Sequence, residues 1–201
     1  MRIVLIVVLG LLLGVAGAFA LLPEARERVA QMFERVPVVG KAAVGGPFSL
    51  IDHNGKRVTD KDFRGRYMLV YFGYTFCPDV CPQGLQVISA ALDKIGPKAK
   101  RVAPIFITVD PERDTLEYLK PYIESFHPSF VGLTGTSAEI GEVARAYRVY
   151  YKLQKEDATS TDYLVDHTSI VYLMDPDGAF VTHFSHATSV DAMAEKLQNI
   201  L

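Results

Sequence analysis

Residues 71–82 join a run with the signature of a buried strand to a run with helical spacing, and they hold both cysteines of the 201-residue chain. The strand run, Tyr67-Met68-Leu69-Val70-Tyr71-Phe72, is uncharged and rich in aromatic and β-forming side chains. The helical run, 83–95, places Leu85, Ile88, Ala91, Leu92 and Ile95 on one stripe. A helix opening near Pro78 would bring Cys77 and Cys81, at i and i+4, onto the same face. Amides at a helix N-terminus favour negative charge, which makes a thiolate easier to form there. Two such thiols can carry out dithiol–disulfide exchange or hold a soft metal, and the local pattern leaves both open.

The alternation continues beyond the cysteines. Residues 102–109 read as a strand with Pro104 near its start, and 115–126 as a helix interrupted or restarted at Pro121. Residues 130–133 read as a short strand and 137–147 as a helix with Ser137 as N-cap. After a short strand at 150–153 and a polar stretch at 154–162, strands 168–174 and 179–184 flank the turn Asp175-Pro176-Asp177-Gly178. A last helix covers 189–200. Upstream, 48–51 and 56–58 form a hairpin about His53-Asn54-Gly55. A βαβ core followed by a hairpin and a final helix is an α/β, thioredoxin-like layout: a central mixed sheet flanked by helices, with an N-terminal β-hairpin. Chemistry in such sheets gathers at the carboxyl ends of the strands, where Cys77 and Asp110 both lie.

The first 22 residues stand apart. Positions 3–22 carry no charge and have the length of a single membrane-spanning helix. A cleaved signal peptide ending at Ala18-Phe19-Ala20 is the alternative, but the uninterrupted apolar length and the missing polar region favour an uncleaved anchor. Either reading exports the C-terminal domain. The expected organisation is an anchor at 1–22, a helical extension and linker at 23–46, and one domain at 47–201. Net charge is only −2 and no basic tract exists, which argues against a nucleic-acid partner. Two cysteines exclude a disulfide scaffold as the basis of stability.

The run Tyr71-Phe72-Gly73-Tyr74-Thr75-Phe76-Cys77-Pro78-Asp79-Val80-Cys81-Pro82 resembles the signature of the Sco/SenC proteins. So do Thr108-Val109-Asp110-Pro111-Glu112-Arg113-Asp114-Thr115, Gly132-Leu133-Thr134-Gly135 and Asp166-His167-Thr168, in the same order along the chain. The resemblance spans 46–201. It implies a membrane-tethered thioredoxin-like protein that binds copper through two thiolates and one imidazole and serves assembly of the CuA site in cytochrome c oxidase subunit II.

On that resemblance the metal ligands are Cys77, Cys81 and His167, with Cys77 and Cys81 also able to close a redox disulfide. Two thiolates and one neutral imidazole suit Cu(I), and Cu(II) would want a further N or O donor. Asp166 is a candidate to orient His167, Asp110 to shape the site or accept hydrogen bonds from the cysteine loop, and Asp79 to cap the helix. The other residues of the segment from Asp110 to Asp114 read as a turn and helix start. His53, His127, His183 and His186 read as structural or surface groups. The resemblance implies a metallochaperone rather than an enzyme, with subunit II, other copper chaperones and a thiol reductant as partners. A reductase that keeps the CuA cysteines of subunit II reduced is the second reading. The place implied is the inner membrane, single-pass, with the C-terminal domain in the periplasm; the short Met-Arg start points to a bacterial source. A peroxidase fits less well, since Thr75 stands two residues before Cys77 and not three.

Overall fold

The computed structural model describes residues 43–155, 157 and 162–201. The anchor expected at 1–22 lies outside the described residues, as does the extension and linker expected at 23–46 up to residue 42. Among those described, no helix is long and apolar enough to cross a membrane.

The hairpin opens the domain. β1 (Ser49–Asp52) and β2 (Arg57–Thr59) pair antiparallel about a turn in which Gly55 has φ of 83°, a left-handed conformation that favours glycine. β3 (Tyr67–Gly73) and β4 (Val102–Thr108) pair in parallel, and nearly all their side chains are buried, because both faces of this central pair are covered. β5 (Val131–Thr134) lies parallel to β4, while β8 (Ile170–Met174) and β9 (Phe180–Ser185) extend the other side antiparallel. The order β2-β1-β5-β4-β3-β8-β9 is the mixed sheet of the expected thioredoxin-like fold. β6 (Tyr151–Gln154) and β7 (Leu164–His167) pair only with each other, as a separate two-stranded sheet.

Alternation along β3 sorts its aromatic rings to two layers. Tyr71 shares a face with Phe106 of β4, beneath α1 (Val80–Ile95) and α2 (Leu116–Glu124), where Tyr122 meets Phe106 at 5.8 Å. Phe72, on the other face, meets Tyr147 just past α3 (Ser137–Ala146) at 5.4 Å. α4 (Val190–Ile200) packs on α1, and Lys94 bridges to Asp191 at 2.7 Å.

Several local expectations give way to tertiary context. α1 begins at Val80, just past Pro78, so Cys77 lies in the loop ahead of the helix and not on its first turn. α3 is capped by Thr136 and not Ser137: Thr136 Oγ1 accepts the Glu139 amide, and the Glu139 carboxylate accepts the Thr136 amide. α2 runs through Pro121 without a break. Pro104, by contrast, lies near the start of β4 as expected, at its third residue; β5 pairs only from Ile105 onward, so only β3 lies alongside it. The strand expected at 168–174 begins at Ile170, and β7 before it has no counterpart in the sequence reading.

Gly73 links sheet to site. A Cβ at this position would stand 2.8 Å from Cys81 Sγ and 2.9 Å from Phe106 Cε2, so the strand end must lack a side chain for the sulfur to seat beneath it. Gly73→Ala is expected to lower unfolding stability by about 1–3 kcal/mol in urea titration and to raise the reactivity of Cys81 towards maleimide. An unchanged midpoint with unchanged thiol reactivity would contradict this fit.

Candidate metal centre

The loop between β3 and α1 is held from below by hydrogen bonds to the segment after β4. Val109 donates its amide to Gly73 O at 2.8 Å, continuing the parallel ladder one step past β4. The carboxylate of Asp114, wholly buried, then accepts the Thr75 amide at 2.9 Å, the Thr75 hydroxyl at 2.6 Å and the Thr108 hydroxyl at 2.6 Å. Burial pushes the Asp114 carboxyl above its ordinary value, against the pull of the two threonines. Cys77 follows two residues after Thr75. Its amide donates to Tyr74 O at 3.3 Å, which curls the loop back over the strand end.

Cys77 and Cys81 are both buried and both free thiols. His167, the last residue of β7, completes a cluster with them: the sulfurs and a ring nitrogen all lie within 4.8 Å of one another. His167 Nε2 lies 3.3 Å from Cys81 Sγ, and Nδ1 faces Thr168 O at 3.3 Å. The tautomer with its proton on Nδ1, donated to that carbonyl, is the one that would leave Nε2 able to bind a metal beside the sulfurs. The rings of Tyr71 and Tyr74 meet the imidazole edge-on, at 6.4 and 5.8 Å. Tyr71 donates its hydroxyl to Val80 O at 3.3 Å, and Tyr74 accepts the Val165 amide at 3.3 Å, so each is pinned. An open cleft of about 260 Å³ lined by Cys77, Pro78, Asp79, Leu164 and His167 leads from solvent to the cluster.

The two thiols divide one proton unevenly. A hydrogen bond from Cys81 pulls Cys77 down to about 3, aided by His167 and the amides of Asp79 and Cys81, while burial opposes. That same hydrogen bond, with burial and the adjacent negative charge, pushes Cys81 far up. The site thus favours the thiolate at Cys77 and the thiol at Cys81.

The other candidates fall around this centre. Asp79 occupies the N-cap position of α1, but its carboxylate pairs with Gln83 Nε2 and accepts no helix amide. Asp166 pairs with Gln154 Nε2, leaving Thr168 O as the partner of the imidazole. Asp110 is buried and accepts from Arg113 Nε at 2.5 Å and the Tyr163 hydroxyl at 2.9 Å; the loop's own carboxylate is Asp114. His53 Nδ1, in the β1–β2 turn, accepts the Gly132 amide of β5, and His127 Nδ1 contacts Ser129 within a local turn; neither belongs to the cluster. Cys77, Cys81 and His167 form the one group of three potential metal donors among the described residues.

The family model described as SCO1/SenC matches residues 37–201. The chain belongs to the SCO1/SenC family. Its relatives include the mitochondrial protein SCO1 homolog 1 of Arabidopsis thaliana, 50% identical over 161 residues that make up 79% of this chain and 47% of that protein. The human mitochondrial SCO1 homolog is 50% identical over 153 residues, 75% of this chain and 50% of the relative. The chain thus spans about half the length of these two relatives. A solved structure of Bradyrhizobium japonicum ScoI with copper bound superposes with a TM-score of 0.72 at 48% identity, covering 79% of this chain and 100% of that one.

In this SCO1/SenC chain the sequence reading did not single out Gly73, Asp114, Arg113, Tyr71 or Tyr74 as parts of the site. Asp114, Arg113 and Tyr74 have partners far away in the chain, as with Asp114 and Thr75 at a separation of 39 residues. The one available signal was their place inside two of the runs that carried the resemblance.

Iodoacetamide reactivity of the reduced, metal-free protein tests the electrostatics. Because the lowered group stays ionised above its folded value, Cys77 is expected to react at a nearly constant rate from about pH 5 to 8, with Cys81 slow throughout. A rate that climbs about tenfold per pH unit up to pH 8.5 would show two ordinary thiols.

Proposed function

We propose that this chain is a copper carrier: Cys77, Cys81 and His167 bind one Cu(I) and pass it to the CuA site of cytochrome c oxidase subunit II. The observation that carries the reading is the convergence of two sulfurs and one imidazole nitrogen within 4.8 Å at the end of an open cleft. Two soft thiolates and an imidazole match the preferences of Cu(I). The copper-bound Bradyrhizobium relative, at 48% identity over nearly the whole domain, supports the same cargo. Three donors leave a coordination position open, which lets an incoming ligand from the recipient attack before the carrier's donors leave. Transfer by successive ligand exchange conserves charge and needs no oxidant.

Tethering fits this role. The apolar stretch 3–22 would hold the domain at a membrane, and the export it implies would place the thiols on the periplasmic side. In that compartment an unprotected dithiol oxidises, and a Cys77–Cys81 disulfide removes two of the three donors at once. Copper loading is then conditional on a thiol reductant.

The low value of Cys77 beside a protonated Cys81 favours a second reading, a thiol–disulfide reductase. Here the Cys77 thiolate would attack a disulfide of subunit II, and Cys81, losing its proton, would resolve the mixed disulfide. The target leaves as a dithiol and the carrier as a disulfide. This chemistry has little use for His167.

A titration of the reduced full chain with Cu(I) against a chromogenic chelator separates the readings. One equivalent is expected to bind; Cys77→Ala or Cys81→Ala abolishes tight binding and His167→Ala weakens it about 10- to 100-fold. Full affinity in the His167→Ala variant would remove the third donor. If that variant still reduced an oxidised CuA-type apo-protein while failing to deliver copper, both activities would reside in the one site.

A further inference from the structure

The three donors of the proposed copper site come from two pieces of the fold. Cys77 and Cys81 belong to the junction of β3 and α1, fixed to the seven-stranded sheet. His167 ends β7, in a hairpin whose strands pair with each other and with no strand of that sheet. Ladder hydrogen bonds reach the imidazole only from one end, through β8, which begins three residues after His167 and pairs with β3. Side chains hold the rest of the hairpin.

Tyr74 ties the cysteine loop to β7 through the Val165 amide, and Arg113 reaches the hairpin from the segment after β4. Arg113 Nε pairs with Asp110 Oδ2 at 2.5 Å, and Nη1 donates to the carbonyl of Tyr163, the residue just before β7, at 2.9 Å. Its guanidinium carbon lies 3.6 Å from the centre of the Tyr163 ring, and the Tyr163 hydroxyl donates to the second oxygen of Asp110 at 2.9 Å. The same carbon lies 5.0 Å from the ring of Phe76, which adjoins Cys77, and 5.7 Å from that of Tyr74. Lys155, from the hairpin's other arm, stands 4.6 Å from the Tyr163 ring centre and pairs with Glu112 at 3.0 Å. The Asp110 side chain is fully buried and that of Arg113 is 14% exposed, so their pairing is shielded from water.

We infer that Arg113 is a positioning residue for metal binding: anchored on Asp110 and stacked on Tyr163 and Phe76, it sets the reach between His167 and the two sulfurs. The inference rests on the reading of Cys77, Cys81 and His167 as metal donors. A planar guanidinium meets a carboxylate, a carbonyl and two ring faces in a single geometry. A lysine ammonium is a point charge that cannot satisfy the carboxylate and the carbonyl while lying flat on a ring. Arg113→Lys keeps a positive charge next to Asp110 but gives up the bond to the Tyr163 carbonyl and the flat stacking on its ring, which loosens the hairpin. Copper affinity should then fall through His167 alone, because the thiol loop keeps its own fastening at Asp114.

A double-mutant cycle in the full chain tests this, with Cu(I) affinity measured by chelator competition for Arg113→Lys, His167→Ala and the pair. Arg113→Lys is expected to weaken binding about tenfold in the native background and less than about twofold when His167 is already absent. In the copper-free protein, amide hydrogen exchange at 163–167 is expected to quicken while β3 and β4 stay protected. Tyr163→Leu, which removes the stacked ring from the hairpin side only, is expected to repeat the pattern and serves if Arg113→Lys does not fold. Equal weakening in both backgrounds would overturn the inference, since Arg113 would then act on the thiol loop or on stability at large. Unchanged affinity or unchanged exchange at 163–167 would overturn it as well. Native affinity in His167→Ala alone would remove the histidine ligand and this role with it, while exchange would still read whether Arg113 holds the hairpin.

Discussion

A carboxylate taken out of water is tolerated only where hydrogen bonds replace its hydration, and Asp114 meets that condition with three, from Thr75 N, Thr75 Oγ1 and Thr108 Oγ1. Two of the three come from the cysteine loop, so the loop cannot shift without stranding a buried polar group. The geometry of the site depends on that restraint. Thr75 fixes where Cys77 begins, Gly73 leaves space for Cys81 Sγ against the strand end, and the first turn of α1 carries Cys81 down onto it. The parallel pairing of β3 and β4 brings the two segments side by side, and the Val109–Gly73 hydrogen bond extends that pairing to the edge of the loop.

The same compactness explains the uneven thiols. Cys77 sits at the mouth of the cleft with amides and a thiol donating to it, while Cys81 is walled in by Tyr71 and the strand end. A group of one sign can be stabilised in so small a space, and two adjacent thiolates cannot without a cation between them. A soft monovalent cation would relieve the conflict by replacing the Cys81 proton, which couples its binding to proton release. Closing the disulfide relieves it in the other direction. The two proposed activities are alternative ways of discharging one electrostatic tension.

The central strands and α1 were legible because their burial is nearly complete on both faces or strictly periodic on one, as at 67–72 and at Leu85, Ile88 and Leu92. The pairing of cysteines with His167 was legible only through the resemblance, since no local pattern marks a histidine that comes after a polar stretch as a neighbour of residues 86 positions away. β7 escaped because four residues with one buried side chain carry too little periodicity to register. The cap of α3 was misplaced by one residue because Thr136 and Ser137 are both good caps, and only the reciprocal bond to Glu139 decides between them. Asp114 and Arg113 were read as turn residues because sequence shows a side chain's type and not its target. Their targets, Thr75 and Tyr163, are 39 and 50 residues away.

The central claim is that two sulfurs and one imidazole form a single copper site. X-ray absorption at the copper edge of the Cu(I)-loaded full chain reads the donor set directly. The expected result is a three-coordinate Cu(I) with two sulfur neighbours and one nitrogen, the nitrogen signal vanishing in His167→Ala. A spectrum of sulfur neighbours alone in the native chain, unchanged by His167→Ala, would contradict the account.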